Sequence, residues 1–500
     1  MNLMMLLEMA ADGFGERVAI QNGADRLTYA ELFAAAGGAA ADVAGAGVER
    51  LAVLDVNSLA LPVGLFGAAW AGVPFVPLNY RLTGAELERL LAGIAPAYLV
   101  TDAERVAALV PLARAVRGRE EFLARSRGAK ERPAEWGMDP EAIAVLLFTS
   151  GTTGAPKAAV LRHRHLVSYI FGSVEFGGAA PEDAALVSVP PYHIAGIAAI
   201  LSSVYSGRRI VQLSSFSADA WLDTARAEKV THAFVVPTML SRIVARCEER
   251  GGAGLAHLRA VSYGGGKMPL AVIEKAMRLF PETDFTNAYG LTETSSTIAV
   301  LGPADHRAAA ASDDPAVRRR LVSVGRALPS VEIEIRGEDG TALPAGQSGE
   351  IHVRGEQVSG EYLGLKSRMS SDGWFPTRDA GALDAEGYLF LEGRIDDVIV
   401  RGGENLSPGE IEDTLLAHPA VADCAVVGVP DEQWGEAVAA VIVLADGCAV
   451  EADELRGWVR ERLRSSRTPE RVEFRPELPY GETGKLLRRK VREALLEGTS

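Results

Sequence analysis

The sequence predicts an α/β protein, with a large N-terminal domain of two doubly wound layers plus a small β-subdomain, followed by a small α+β C-terminal domain. Three observations predict this. Short apolar strands alternate with helical stretches from about residue 50 to residue 289. After about Val322 the apolar period shortens to two, and near residue 395 a stretch dense in glycine and charge precedes a further set of strands and helices. Five hundred residues also exceed what one hydrophobic core usually covers.

Taken in order, "RLAVLDV" (50–56), an apolar helical stretch from Leu59 to Ala71 and "VPFVPL" (73–78) alternate as βαβ units do. The uncharged run from Val56 to Tyr80 holds Pro62, Pro74 and Pro77, a pattern a buried layer accommodates better than a membrane span does. "AYLVTD" and "IAVLLFT" continue the strands, and the charged stretch 114–136 between them is expected as a solvated helix or loop. "LVSVP", "RIVQL", "HAFVVP" and "AVSYGG" build a second layer. "VEIEIRGEDGTALPAGQSGEIHVRG" alternates around Glu338-Asp339-Gly340 as antiparallel hairpins do. Ser407-Pro408-Gly409-Glu410 reads as a capping box with proline at the first helical position. The expected boundaries are 1–395, with the β-subdomain at about 322–395, and 396–500.

A formal charge of -15 argues against a nucleic-acid or anionic-membrane surface, so any anionic ligand must be held by local design. Cys247, Cys424 and Cys448 lack C-x-x-C spacing, which suits buried fillers in a reducing compartment and excludes a cysteine zinc cluster. "MNLMMLLEMAADG" has no basic n-region and carries Glu8, a poor secretory signal. A cytoplasmic protein without integral membrane association is expected.

"LLFTSGTTGAPKAAVLRH" (146–163) hangs hydroxyls and glycines on a buried strand. Thr149, Ser150, Gly151, Thr152, Thr153 and Gly154 offer hydroxyl and backbone N–H donors to anionic oxygens, and Lys157 adds a point charge. The spacing of Gly151 and Gly154 is not that of a Walker P-loop, and "GETGKLL" (481–487) has Leu486 where that motif needs Ser or Thr. A kinase or GTPase is disfavoured.

The chain resembles the adenylate-forming superfamily of acyl-CoA synthetases, peptide-synthetase adenylation domains and beetle luciferases. The resemblance rests on "FTSGTTGAPKAAV", "VPPYHIAG", "YGGGKMP", "NAYGLTETSS", "DGWFPTRDAG", "GRIDDVIVRGGENLSPGEIE" and "PYGETGKLLRRKV", which occur in the family's order across nearly the whole chain. It implies that a carboxylic acid and ATP give an acyl-adenylate and pyrophosphate, and that CoA then takes the acyl group. A free carrier-protein phosphopantetheine is the alternative acceptor, and fatty and aryl acids both suit the small residues around the acyl site. A homodimer is left open. An amino-acid-activating domain is disfavoured because "PPYHIAG" lacks the aspartate such domains present, and a luciferase-type monooxygenase is only weakly disfavoured. A nucleotide-sensing protein on a decayed scaffold would lack Lys485, Glu293 and Asp379, all of which are present.

The resemblance also implies roles. Glu293 would hold Mg2+, helped by Thr149, and Thr292 would reach the α-phosphate. Tyr289 would lie on the adenine, with Gly264, Gly265, Asn287 and Ala288 as close walls. Asp379 would bind the ribose, assisted by Arg394, and Lys485 would be carried to the α-phosphate and the substrate carboxylate by a mobile C-terminal domain. His193 would gate an acyl pocket made with Ala195, Gly196 and Gly266. Asp396 would be the hinge, and Arg401, Gly402 and Gly403 would line the CoA path. Four positions depart from the family's pattern: Ala158 and Arg378 stand where glycine is usual, Arg401 where lysine is common and His165 where asparagine is common. Arg378 adds bulk and charge beside Asp379.

Overall fold

The computed structural model describes residues 1–149, 157–481 and 486–497. The uncharged run that opens the first layer folds as strand Arg50–Leu54, helix Ala60–Ala71 and strand Phe75–Pro77. Every helix residue from Ala60 to Trp70 is buried, as an all-round apolar helix requires. Pro62 stands in the first turn, where its missing N–H has no intrahelical partner to lose.

These strands belong to a six-stranded sheet in the order Ala115–Gly118, Ala97–Thr101, Arg50–Leu54, Phe75–Pro77, Ile143–Thr149, Lys157–Arg162. Its pairs are parallel except the last, which is antiparallel. The charged stretch 114–136 is less solvated than its composition implies. It supplies the edge strand and the helix Arg119–Gly128, whose Phe122 and Leu123 are buried.

The second sheet has nine strands. Asp284–Leu291, Ala260–Gly264, His232–Val235, Ala184–Val187, Arg209–Gln212 and Val18–Asn22 run parallel in that spatial order. Antiparallel strands Ser296–Leu301 and Arg326–Ala327 close one edge and Asp25–Thr28 the other. One apolar cluster, running through helices Met4–Phe14, Tyr29–Gly45, Ala60–Ala71 and Ile194–Ser206, joins the two layers. The N-terminal segment is thus core, with Leu3, Met4, Leu6 and Leu7 fully buried.

Period-two residues then pair as the alternation requires. Glu332–Arg336, Gly349–Arg354, Phe375–Leu383 and Leu389–Arg394 form an antiparallel sheet with Ile335 opposite Ile351. Beyond it, strands Ile399–Arg401, Glu404–Leu406, Gly435–Leu444, Val421–Asp431 and Arg471–Phe474 carry helices Pro408–Leu416, Ala452–Arg462 and Arg488–Glu497.

Two local expectations are corrected. Pro408 does open its helix, but Ser407 makes no side-chain cap; its hydroxyl donates instead to the Glu392 carbonyl at 2.6 Å, and Glu410 pairs with Arg467. Cys247 and Cys424 are buried, whereas Cys448 is exposed. Among the described residues, no helix is long and apolar enough to cross a membrane.

Candidate active site

The carboxyl ends of parallel strands in both sheets open on one cleft of about 1360 Å3, the usual ligand position in such sheets. Although the chain is strongly acidic, basic side chains outnumber acidic ones along the cleft's lining, so the local design anticipated from the net charge is present.

Thr149 ends its strand and Lys157 opens the return strand directly opposite, the Thr149 hydroxyl donating to the Lys157 carbonyl at 3.3 Å. Both line the cleft. Ser150, Gly151, Thr152, Thr153 and Gly154 lie outside the described residues, as does Lys485.

Across from them the 3-10 turn Thr292–Thr294 puts Thr292 and Glu293 into the cleft. The turn is held on several sides. The Ser359 N–H and hydroxyl both donate to the Glu293 carbonyl, at 2.7 and 3.2 Å. The fully buried Gln357 amide donates to the carbonyls of Thr294 and Thr297, at 2.9 and 2.8 Å. Ser295 and Ser296 adopt φ values of +56° and +110°, backbone that L-residues occupy only when their surroundings over-determine it.

Ala288 and Gly265 line the cleft, while Gly264, Asn287 and Tyr289 stand just behind it. Gly264 has no room for a side chain for a reason internal to the sheet: a Cβ there would come within 2.2 Å of the Ala288 carbonyl oxygen on the next strand. Asn287 donates to the Ser323 carbonyl at 3.0 Å. The buried Tyr289 hydroxyl donates to Asp379 Oδ2 at 2.6 Å, and Arg394, which does line the cleft, pairs with Asp379 Oδ1 at 3.1 Å. Burial, reinforced by the Asp379 charge, pushes the Tyr289 hydroxyl far above its ordinary pKa and keeps it a donor. Asp379 and Arg394 meet because they are cross-strand partners.

The apolar end of the cleft is walled by Tyr192, His193, Ile194, Ala195, Phe234, Val236 and Met239. His193 is the N-cap of helix Ile194–Ser206, its ring 4.6 Å from that of Tyr192. Gly196 sits one turn in, against the Pro190 and Pro191 backbone, and Gly266 is exposed beside Pro237; neither lines the cleft.

The C-terminal domain closes the cleft with Leu486 and with Arg488, Arg489 and Lys490 of helix Arg488–Glu497, from the segment that follows Lys485. Asp396 and Asp397 line the junction. Arg401, Gly402 and Gly403 do not reach the cleft. Gly402 is exposed with φ +57°, and a Cβ there would lie 2.9 Å from the Trp434 indole. Arg401 stacks on the same indole and pairs with Glu470. Contacts across the junction hold this arrangement, with Lys267 bonded to Asp413 at 2.6 Å and to the Gly409 carbonyl at 3.0 Å, and Arg378 ion-paired with Asp396.

Sequence reading missed Tyr362, Lys366 and Arg368, which also line the cleft. They lie between the recognised motifs, and an aromatic beside two cations in "YLGLKSR" was the one available signal.

The model of the AMP-binding enzyme family matches residues 7–363, and that of the AMP-binding enzyme C-terminal domain matches residues 410–485. A feruloyl-CoA synthase of an Amycolatopsis species is 34% identical over 486 residues, covering 95% of each chain. A fatty acid–[acyl-carrier-protein] ligase of Streptomyces coeruleorubidus is 32% identical, covering 93% of this chain and 91% of its own. The o-succinylbenzoate-CoA synthetase of Bacillus subtilis, solved with its acyl-adenylate intermediate, superposes with a TM-score of 0.85 at 30% identity over 97% of both chains. The same synthetase, solved with ATP and a magnesium ion, has a TM-score of 0.83 at 30% identity over 97% of this chain and 98% of that one. The chain therefore belongs to the AMP-binding enzyme family, the adenylate-forming superfamily of acid–thiol ligases.

Proposed function

We infer that the protein is an AMP-forming acid–CoA ligase: it activates a carboxylic acid with ATP to an acyl-adenylate, releasing pyrophosphate, and then transfers the acyl group to the CoA thiol. The observation that carries this reading is one cleft joining a polar end, with Thr149, Lys157, Thr292 and Glu293, to an apolar end walled by Tyr192, Ile194, Phe234 and Met239. A fatty or aryl acid seats its body at the apolar end and its carboxylate toward the polar one. Attack of a carboxylate on a phosphate crowds negative charge, so the residues' work is positioning and neutralisation.

Glu293 and Thr149 present a carboxylate and a hydroxyl to the same cleft, hard oxygen donors that suit Mg2+ completed by phosphate and water oxygens. When bound there, the ion supplies charge neutralisation along the polyphosphate. Lys157 and the glycine-rich loop hold the phosphates, and Thr292 reaches the α-phosphate. Asp379 keeps acceptor capacity for vicinal hydroxyls even with Tyr289 and Arg394 on its two oxygens. Lys485 approaches from the C-terminal domain, which we place at 396–500 and allow to turn about Asp396. In the present arrangement the segment after Lys485 faces the cleft and Arg401, Gly402 and Gly403 face away, which supports the adenylating pose. Turning then presents those residues to the thiol.

The carrier-protein relative keeps phosphopantetheine on a free carrier protein as a second acceptor. The unpaired cysteines support a reducing, cytoplasmic setting. The test is pyrophosphate release over a panel of fatty and aryl carboxylates, with CoA or loaded carrier protein as acceptor. Acid-dependent release with a thioester on CoA is expected; no release with any acid, or thioester on the carrier alone, overturns the CoA reading.

A further inference from the structure

The segment Gln357–Leu363 belongs to no regular element, yet it ties together the two sides of the polar end. On one side it grips the return strand of the phosphate loop. The Val160 N–H donates to the Glu361 carbonyl at 3.0 Å, the Leu363 N–H donates to the Ala158 carbonyl at 2.9 Å, and Arg162 takes the Glu361 carboxylate through two nitrogens. On the other side it grips the Thr292–Thr294 turn through Gln357 and Ser359. Those bonds fix the backbone of Glu293 and leave its side chain unset. Tyr362 alone within this segment touches the carboxylate: its hydroxyl donates to Glu293 Oε1. The phenol is 8% exposed and also lines the cleft.

A lone glutamate on a turn samples several rotamers, and ordering one of them by a half-buried charge-assisted hydrogen bond removes that cost before a ligand arrives. We propose that Tyr362 is a positioning residue that holds the Glu293 carboxylate toward the cleft by donating to one of its oxygens and leaving the other free for the cation. The proposal rests on the reading of Glu293 as the carboxylate for magnesium. The strap from Ala158 to Ser359 makes the aim rigid: the ring that orients Glu293 is anchored to the strand bearing Lys157, so the cation's carboxylate and the phosphate's lysine are set relative to each other.

The test measures Mn2+ binding to the full-length protein with α,β-methylene-ATP, by electron paramagnetic resonance, so that no turnover is required. Tyr362→Phe is expected to raise the Mn2+ dissociation constant about ten-fold, the order for a hydrogen bond to a charged group, with an unchanged melting curve. Glu293→Gln is expected to raise it at least as far, and adding Tyr362→Phe to Glu293→Gln should change it less than about two-fold, because both act through one carboxylate. An unchanged constant in Tyr362→Phe, or a full further loss in the double variant, overturns the positioning role while leaving the metal reading intact. An unchanged constant in Glu293→Gln overturns the metal reading itself, and this inference with it. Should Tyr362→Phe fail to fold, fluorotyrosine at position 362 keeps the shape while strengthening the donor; tighter Mn2+ binding supports the role and unaltered binding overturns it.

Discussion

The turn that carries Glu293 and the junction at Asp396 face the same cleft and are built in opposite ways. Around the turn the contacts are buried: Thr294, Ser295 and Gln357 are fully enclosed, and their bonds run mostly to backbone carbonyls. At the junction two hydrogen bonds to backbone carbonyls, from Lys267 and Ser407, are joined by side-chain ion pairs open to water. Arg378 and Asp396 are 44% and 43% exposed, and Lys267 and Asp413 are 38% and 45% exposed. Buried backbone bonds leave an unsatisfied group when broken and so resist opening, whereas exposed pairs contribute about 0–1 kcal/mol and exchange readily with solvent. The difference teaches where motion is permitted. The Glu293 turn sits in a preset frame, and the contacts at the junction are of the kind that can be made and broken, as the proposed turning of the C-terminal domain requires.

The largest test of this contrast strikes the fixed side. Glu293→Ala is expected to lower pyrophosphate exchange about 100-fold or more, in the range for losing a preorganised charge stabiliser, with the melting temperature little changed. A folded variant with wild-type exchange breaks the assignment. Next comes the movable side. On the proposed two-pose scheme, Lys485→Ala should lose adenylation by a similar factor yet convert a supplied acyl-adenylate and CoA to thioester within about three-fold of wild type. Asp396→Pro should do the reverse, since proline fixes φ and restricts its neighbour. Equal damage to both half-reactions by Lys485→Ala would end the two-pose account.

The contrast also explains what was legible beforehand. Strands and buried helices announced themselves by apolar runs and period, so both doubly wound layers and the antiparallel sheet could be read from the sequence. The stretch 114–136 misled because its charges outnumber Phe122 and Leu123, the residues that seat its helix. Ser407 misled because a capping pattern records local chemistry, while its hydroxyl found a carbonyl fifteen positions back in the chain. Cleft-lining residues inside contiguous motifs, such as Thr149, Lys157 and Glu293, could be singled out. Tyr362 could not, because its meaning comes from a partner 69 residues away. The proximity of Arg378 to Asp379 was visible, but its true partner, Asp396, was set by the fold.

A smaller effect should loosen the fixed side by acid. His163 and His165, fully enclosed behind the phosphate strand, accept hydrogen bonds from the N–H groups of Leu3 and Arg162 at 3.2 and 3.1 Å. Burial pushes their pKa values down to about 4 and about 3. Both stay neutral in the fold but bind protons near 6.5 once unfolded, so their contribution is fully present above pH 6.5 and is lost as pH falls toward about 4 for His163 and about 3 for His165. The loss is about 1 kcal/mol per residue for each pH unit in that window. Denaturation midpoints between pH 7 and 5 measure it, and the slope should shrink in His165→Asn. An identical slope in that variant would show that His165 titrates alike in both states.

The smallest expected effect is the most discriminating, because Arg378 combines both kinds of constraint. Its backbone has φ +65°, a left-handed conformation that costs an L-residue about 1 kcal/mol and glycine almost nothing. Its N–H donates to Glu350 Oε1 at 3.0 Å, and its guanidinium pairs with Asp396. The backbone cost is present in either pose, whereas the pair exists only while Asp396 stands where it does here. Arg378→Gly should therefore raise overall stability by up to about 1 kcal/mol. It should also shift the balance away from the adenylating pose, speeding thioester formation relative to adenylation by no more than about five-fold, the equivalent of an exposed pair. Arg378→Ala separates the two terms, since it keeps the left-handed cost and removes the pair. The same shift in half-reaction ratio without the gain in stability is expected. If neither variant moves that ratio, Arg378 does not bias the hinge, and the junction's freedom rests on Lys267 and Ser407 instead.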